Sequence, residues 1–255
     1  MASPDVIRYG GNTPCIEIET VDGTSVIDAC TGIRDLGKSL LEFSVTRFDL
    51  PLSHAHWDHI QGLPHFEPLY RDDIAVTVHT LQHPKHTLPS IFAGQQQKPF
   101  YPVPLQDMSA RILCHRLNHP GITGGFRIKS GARIFAYICD TDLNGAYLLA
   151  SDLPAHSDSE HAEWILKLRQ AARDLGHGAD LMVCCMFFLG EEYDPFEGHS
   201  RPDHFLKLAT QAGAGTMCLF HHRPNRSDDE LDAMVKACRA RVGGNLQVLA
   251  AHEGE

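Results

Sequence analysis

Ser53-His54-Ala55-His56-Trp57-Asp58-His59 places four side chains able to bind a metal within six residues. Residues 45–53 leading into it read as a β-strand, so the cluster falls where a strand runs into a turn. On such a turn His54 and His56 can face one ion, and Asp58 and His59, one turn further on, a second. Imidazole suits zinc, iron or manganese, and a carboxylate adds a hard oxygen. Neither a packed core nor a solvated face accounts for that density of imidazole. Pro51 lies inside the strand and cannot donate to a ladder, which predicts an edge strand or a bend.

Working outward, short apolar or alternating stretches at 13–19, 25–29, 74–80 and 111–117 predict strands. Residues 126–129 and 133–139 flank Ser130-Gly131 and predict a hairpin. The second half changes rhythm. Residues 159–175 put Trp164, Ile165, Leu168, Ala172 and Leu175 on one helical face, and 181–188 is an unbroken apolar run short enough for a buried strand. A helix at 202–212 with Pro in its first turn, a strand at 216–220, a helix at 228–242 and a strand at 246–251 complete the chain. Strands early, then strands alternating with helices, fit sheets covered by helices. Residues 81–106 and 189–201 read as irregular loops able to cover a site. No internal repeat and no dividing linker is visible, so one domain over 1–255 is expected.

The 255 residues carry 22 Lys and Arg against 32 Asp and Glu, a formal charge of −10. That balance opposes a large polyanionic partner, whose phosphates need clustered cations, and does not favour an anionic membrane surface. The start of the chain lacks the basic-then-apolar run of a signal peptide, and no apolar stretch approaches the ~20 residues of a bilayer span. Eight cysteines form no C-x-x-C pair and mostly sit in apolar runs, which fits free thiols in a reducing cytoplasm. Histidine is the outlier at 17 residues, several bunched with aspartate.

His-x-His-x-Asp-His after an apolar strand resembles the signature of the metallo-β-lactamase superfamily. Tyr9-Gly10-Gly11-Asn12-Thr13-Pro14 and Asp28-Ala29-Cys30-Thr31-Gly32 resemble its phosphodiesterase and ribonuclease Z-like branches, and the similarity runs from about Arg8 to Glu253. The resemblance implies an αββα sandwich of two mixed β-sheets flanked by helices, with two divalent metal ions, zinc first and manganese or iron as alternatives. By it, His119 in Leu117-Asn118-His119-Pro120-Gly121 is the third histidine of the first ion. Asp140 after the 133–139 strand bridges both ions, and His221 after the 216–220 strand is the last histidine. Asp142 competes with Asp140, His115 with His119, and His222 with His221; His222 otherwise touches a ligand or the substrate. Asp28 resembles a carboxylate that orients a ligand histidine. His199 in Gly198-His199-Ser200 resembles the histidine that ribonuclease Z-like enzymes hold beside a departing phosphate oxygen. Two positions depart from the pattern. Cys30 stands where glycine is usual, and Cys184-Cys185 stands where relatives often have a His-Asp pair; the thiols read as inert core.

Two ions about 3.5–4 Å apart can share a hydroxide that is nucleophilic at neutral pH, with Asp58 aligning it. The expected activity is phosphodiester hydrolysis on a small substrate such as a cyclic nucleotide. Transfer RNA is disfavoured, because relatives that cut it carry a long arm between the equivalents of His119 and Asp140, where this chain has about twenty residues. A carbonyl-ester hydrolase (lactonase, thioesterase or β-lactamase) could use the same ligands. A di-iron redox module is disfavoured by His56, where those relatives carry glutamate. Oligomeric state is open on sequence; relatives of this kind commonly form homodimers.

Overall fold

The computed structural model describes residues 4–81, 87–96, 111–117, 123–143, 158–194 and 197–254. The chain divides into two compact units, Asn12–Gly124 and the combination of Met1–Gly11 with Gly125–Glu255.

The unit Asn12–Gly124 is built on a five-stranded sheet in the order β1 (Ile16–Thr20), β2 (Gly23–Ile27), β3 (Arg47–Leu52), β4 (Ala75–Leu81) and β5 (Arg111–Leu117). β1 and β2 form an antiparallel hairpin and the remaining pairs are parallel. A parallel neighbour needs a crossover. For β2 to β3 it is helix α1 (Ile33–Glu42), which buries Ile33, Gly37 and Leu40 at helical spacing. Gly37 is required there: a Cβ would lie 2.9 Å from the Phe66 ring and 3.0 Å from Pro68. Phe48, Leu50 and Leu52 of β3 join Val76 and Val78 of β4 in the core of this unit.

Of the two outcomes Pro51 predicts, an edge strand or a bend, the edge is not met: β3 lies in the middle of the sheet. The reason is local. β3 pairs with β2 only at Phe48 and Asp49, and the Pro51 carbonyl beyond them accepts the Asp28 backbone N–H at 3.0 Å. A strand residue's N–H and C=O point to the same side, so the N–H that proline lacks would face the place where the β2 ladder has already ended. Helix α2 (Trp57–Ile60) follows as a single turn after the extended His56. A second correction concerns the 81–106 stretch, which contains helix α3 (Leu88–Gln95), started by a reciprocal Thr87–Ser90 capping box.

The other unit repeats the same strand plan, which the sequence did not reveal. A hairpin of β6 (Phe126–Ser130) and β7 (Arg133–Ile138) is followed by three parallel strands, β8 (Leu181–Cys185), β9 (Thr216–Phe220) and β10 (Gln247–Ala250), in the order β10-β9-β8-β7-β6. Its crossovers are α4 (Asp158–Gly176), α5 (Pro202–Ala212) and α6 (Asp228–Arg239). The apolar run at 181–188 outlasts its strand: β8 stops at Cys185, and Phe187 and Phe188 leave the ladder to pack around His199. Among the described residues no helix is long and apolar enough to cross a membrane.

Candidate metal centre

In the unit Asn12–Gly124 the β2 and β3 ends meet at Asp28, a fully buried carboxylate held at φ 61°. Asp28 Oδ1 accepts the Ser53 backbone N–H at 2.7 Å, and the Ser53 hydroxyl lies 2.9–3.0 Å from its two oxygens. His59 Nδ1 is 2.8 Å from Asp28 Oδ2, and His54 Nδ1 is 3.1 Å from Ser53 Oγ. A proton on His59 Nδ1 satisfies the carboxylate and leaves Nε2 as the lone-pair nitrogen, the tautomer a metal requires. Ring centroids of His54 lie 4.3 Å from His56 and 4.2 Å from His59, and an Asp58 oxygen lies 3.6 Å from His59 Nε2. Three imidazoles and a carboxylate at these separations fit a cation by donor chemistry. Gly62 secures the turn: its N–H binds the Ala29 carbonyl at 2.9 Å while His59 accepts the Ala29 N–H at 2.7 Å. His119, His83, His86 and His156 lie outside the described residues.

In the other unit the parallel register brings three strand ends to one level. Ile138 pairs with Cys184 and Cys184 with Leu219, so Cys139-Asp140, Cys185 and His221 leave the sheet side by side. Donor atoms of Cys139, Asp140, Cys185 and His221, all buried, lie within 4.8 Å of one another. Asp140 and His221 have φ of 34° and 55°. With Asp28 they make three of the four non-glycine residues at positive φ among those described, and such strain concentrates at functional sites. His221 Nδ1 is 3.1 Å from Asp140 Oδ1 and 3.6 Å from Cys185 Sγ. His199 Nδ1 is 3.4 Å from the same sulfur and 3.5 Å from the same oxygen.

Burial would lower the His199 pKa, but its contacts with Asp140 and Cys185 outweigh that and push it up to about 9. Burial would likewise raise the Cys185 thiol, yet hydrogen bonds from Cys139, His199 and His221 hold it well below the ordinary range. Cys139, dominated by burial, is driven well above it. His199 is fixed from several sides. Phe187 stacks on its ring at 4.2 Å with a 16° interplanar angle, Arg223 lies 4.9 Å over Phe187, and the neighbouring Ser200 hydroxyl accepts the Leu143 N–H at 2.7 Å. Two of the three rival residues have other partners: Asp142 accepts the Tyr193 hydroxyl at 2.9 Å, and His222 hydrogen-bonds the Gly10 backbone. Burial, followed by the charge of His221, lowers the His222 pKa.

Sequence reasoning did not find Ser53, Phe187 or Arg223, and it read Cys185 as inert. The signal for Cys185 in the sequence was that Cys184-Cys185 stands where relatives often carry a His-Asp pair; within the 181–188 run nothing else marks it.

No family model matches the chain, and no curated protein matches it. Solved structures do. Over 98% of this chain and 95% of theirs, the match to the metallo-β-lactamase fold protein YhfI from Bacillus subtilis has a TM-score of 0.62 at 16% identity. A diphosphatase from the PhnP family aligns over 95% of this chain and 83% of its own, with a TM-score of 0.54 at 16% identity. The short form of human tRNase Z aligns over 82% and 86%, with a TM-score of 0.55 at 13% identity. The chain therefore has the metallo-β-lactamase fold, with two mixed β-sheets and their flanking helices.

Proposed function

We propose that residues 1–255 form one domain of a metal-dependent hydrolase that cleaves small phosphodiesters, cyclic nucleotides among them. The observation that carries the reading is Asp28 at 2.8 Å from His59 Nδ1, a buried carboxylate preparing an imidazole to donate from Nε2. Two divalent ions, zinc first and manganese or iron as alternatives, would be held by His54, His56, Asp58, His59, His119, Asp140 and His221. When bound, they supply Lewis acidity and a water acidified to a pKa of about 7.

The chain's own residues do the rest. Asp28 and Ser53 orient His59 and His54, and Asp58 aligns the attacking water. His199, with Nδ1 turned to Cys185 and Asp140, delivers a proton from Nε2 to the leaving oxygen. His222 acts from beside His221 rather than as a ligand. Phosphoryl chemistry is favoured because two structures of the same fold are a diphosphatase and a tRNase Z. A small substrate is favoured over transfer RNA by the net charge of −10 and the short interval between His119 and Asp140. Seven free cysteines among the described residues suit a reducing cytoplasm, and a homodimer is the state to test first by light scattering.

The test is a hydrolysis panel on metal-quantified protein: bis(p-nitrophenyl) phosphate, cyclic nucleotides, a lactone, a thioester and a cephalosporin. Phosphodiester turnover that disappears together with metal in Asp140→Ala is the expected result. Carbonyl turnover without phosphodiester cleavage would overturn the substrate class and install the carbonyl-ester hydrolase in its place.

A further inference from the structure

We propose that Cys185 supplies a sulfur ligand to the ion held by Asp140 and His221, making that position a soft nitrogen, oxygen and sulfur site. The inference rests on the metal-dependent reading above and adds to it a ligand of different chemistry. Cys185 ends β8 between the strand ends that carry Asp140 and His221, so the sheet register itself delivers the sulfur.

The distances agree with a single ion. Zinc ligands at Zn–S about 2.3 Å and Zn–N or Zn–O about 2.0–2.2 Å, set about 90–120° apart as in four- or five-coordinate zinc, place S–N neighbours about 3.1–3.8 Å apart and O–N neighbours about 2.9–3.6 Å apart. Cys185 Sγ to His221 Nδ1 is 3.6 Å, and Asp140 Oδ1 to His221 Nδ1 is 3.1 Å. Cys139 lies in the same cluster. Its thiol donates to Asp140 Oδ1 at 3.3 Å and lies within 4.8 Å of the Cys185 sulfur, so it supports the ligand carboxylate rather than taking a coordination position. Cys139 and Asp140 are consecutive and would point to opposite faces of a regular strand. The left-handed backbone of Asp140 breaks that alternation and turns both toward the cluster.

Thiolate ligation selects zinc over manganese, because soft sulfur binds borderline zinc and discriminates against harder ions. The sulfur also explains the local packing of His199: its Nδ1 rests 3.4 Å from Cys185, so the ligand sulfur positions the imidazole beside the ion.

The experiment is cobalt and zinc reconstitution of the metal-depleted full chain, read by optical absorption for cobalt and X-ray absorption for zinc. Wild-type protein is expected to give a sulfur-to-cobalt charge-transfer band and a Zn–S shell at about 2.3 Å. Both should be lost in Cys185→Ser and retained in Cys139→Ser. If Cys185→Ser does not fold, the wild-type zinc spectrum still reports sulfur directly, and Cys139→Ser tells which thiol supplies it. Metal bound with only nitrogen and oxygen neighbours would overturn the sulfur ligand and leave the hydrolase reading standing. Loss of the band in Cys139→Ser would overturn the assignment to Cys185. Failure of the wild-type chain to bind either metal would overturn the metal-dependent reading itself, and the sulfur ligand with it.

Discussion

Asp28 offers a perturbation whose two consequences, on stability and on metal affinity, separate cleanly. Its carboxylate is fully buried and takes hydrogen bonds from the Ser53 N–H, the Ser53 hydroxyl and His59 Nδ1. Asp28→Ala strands the first and third of these donors; the hydroxyl can turn to His54 Nδ1, 3.1 Å away. Each stranded buried donor costs about 1–3 kcal/mol, so the apoprotein should lose roughly 2–6 kcal/mol. The lower half of that range is expected, because the desolvation cost of the carboxylate disappears with it. Alanine also tolerates φ 61° less well than aspartate does, adding about 1 kcal/mol. Asp28→Asn differs in kind. Its carbonyl can still accept the Ser53 N–H, and asparagine accepts a left-handed backbone. Its NH2, however, then faces His59 Nδ1, and the imidazole must move its proton to Nε2, where it blocks metal binding. Apoprotein stability should therefore fall by only about 1 kcal/mol while zinc affinity falls about 10–100-fold. Urea unfolding in chelator and a zinc competition titration measure the two quantities. An Asp28→Asn protein that binds zinc within twofold of wild type would refute the tautomer reasoning, and an unchanged urea midpoint in Asp28→Ala would refute the burial reasoning.

A Cβ on Gly62 would lie 2.0 Å from the Cys30 carbonyl oxygen, a backbone atom with little room to move. Gly62→Ala should cost about 1–3 kcal/mol and lower Tm by roughly 3–10 °C; an unchanged calorimetric Tm would refute the close approach. Ser227→Ala removes the capping box of α6 and should cost about 1 kcal/mol in urea unfolding. Arg226, with a buried side chain, holds the Glu192 carboxyl below its usual pKa, mainly through their hydrogen bond. That stabilisation is complete above the unfolded-state value of about 4.3 and is lost as pH falls through the folded value. Arg226→Met should be less stable at neutral pH and lose less on acidification; parallel acid-denaturation curves would count against it. Chelation should lower the Tm of wild type and leave Asp140→Ala unmoved, since only a chain that holds the metal is stabilised by it.

Much of the fold was legible because its periodicities are strong. The strand at 111–117 and the helix at 202–212 occupy the residues their patterns predict, and β8 reads as a buried parallel strand because both its faces are apolar. Helix α1 went unread because its buried face contains Gly37, a position defined by the approach of Phe66 rather than by apolarity. Pro51 misled because proline's rule is set by the ladder beside it, and the length of that ladder is a property of β2.

The sequence by itself determined which side chains offer metal-binding donors, since the density of histidine and aspartate from His54 to His59 is a local fact of the chain. Asp28 was traceable by resemblance alone; its hydrogen bond to His59 spans 31 positions and exists only once β2 and β3 are aligned. The tertiary structure alone placed Ser53, Phe187 and, above all, Cys185 beside the candidate ligands. A thiol among apolar residues carries no mark of function until the register of three parallel strands sets it beside Asp140 and His221. Ligand type is written in side chains, but ligand geometry is written in strand register, and register is fixed by pairing between residues far apart in the chain.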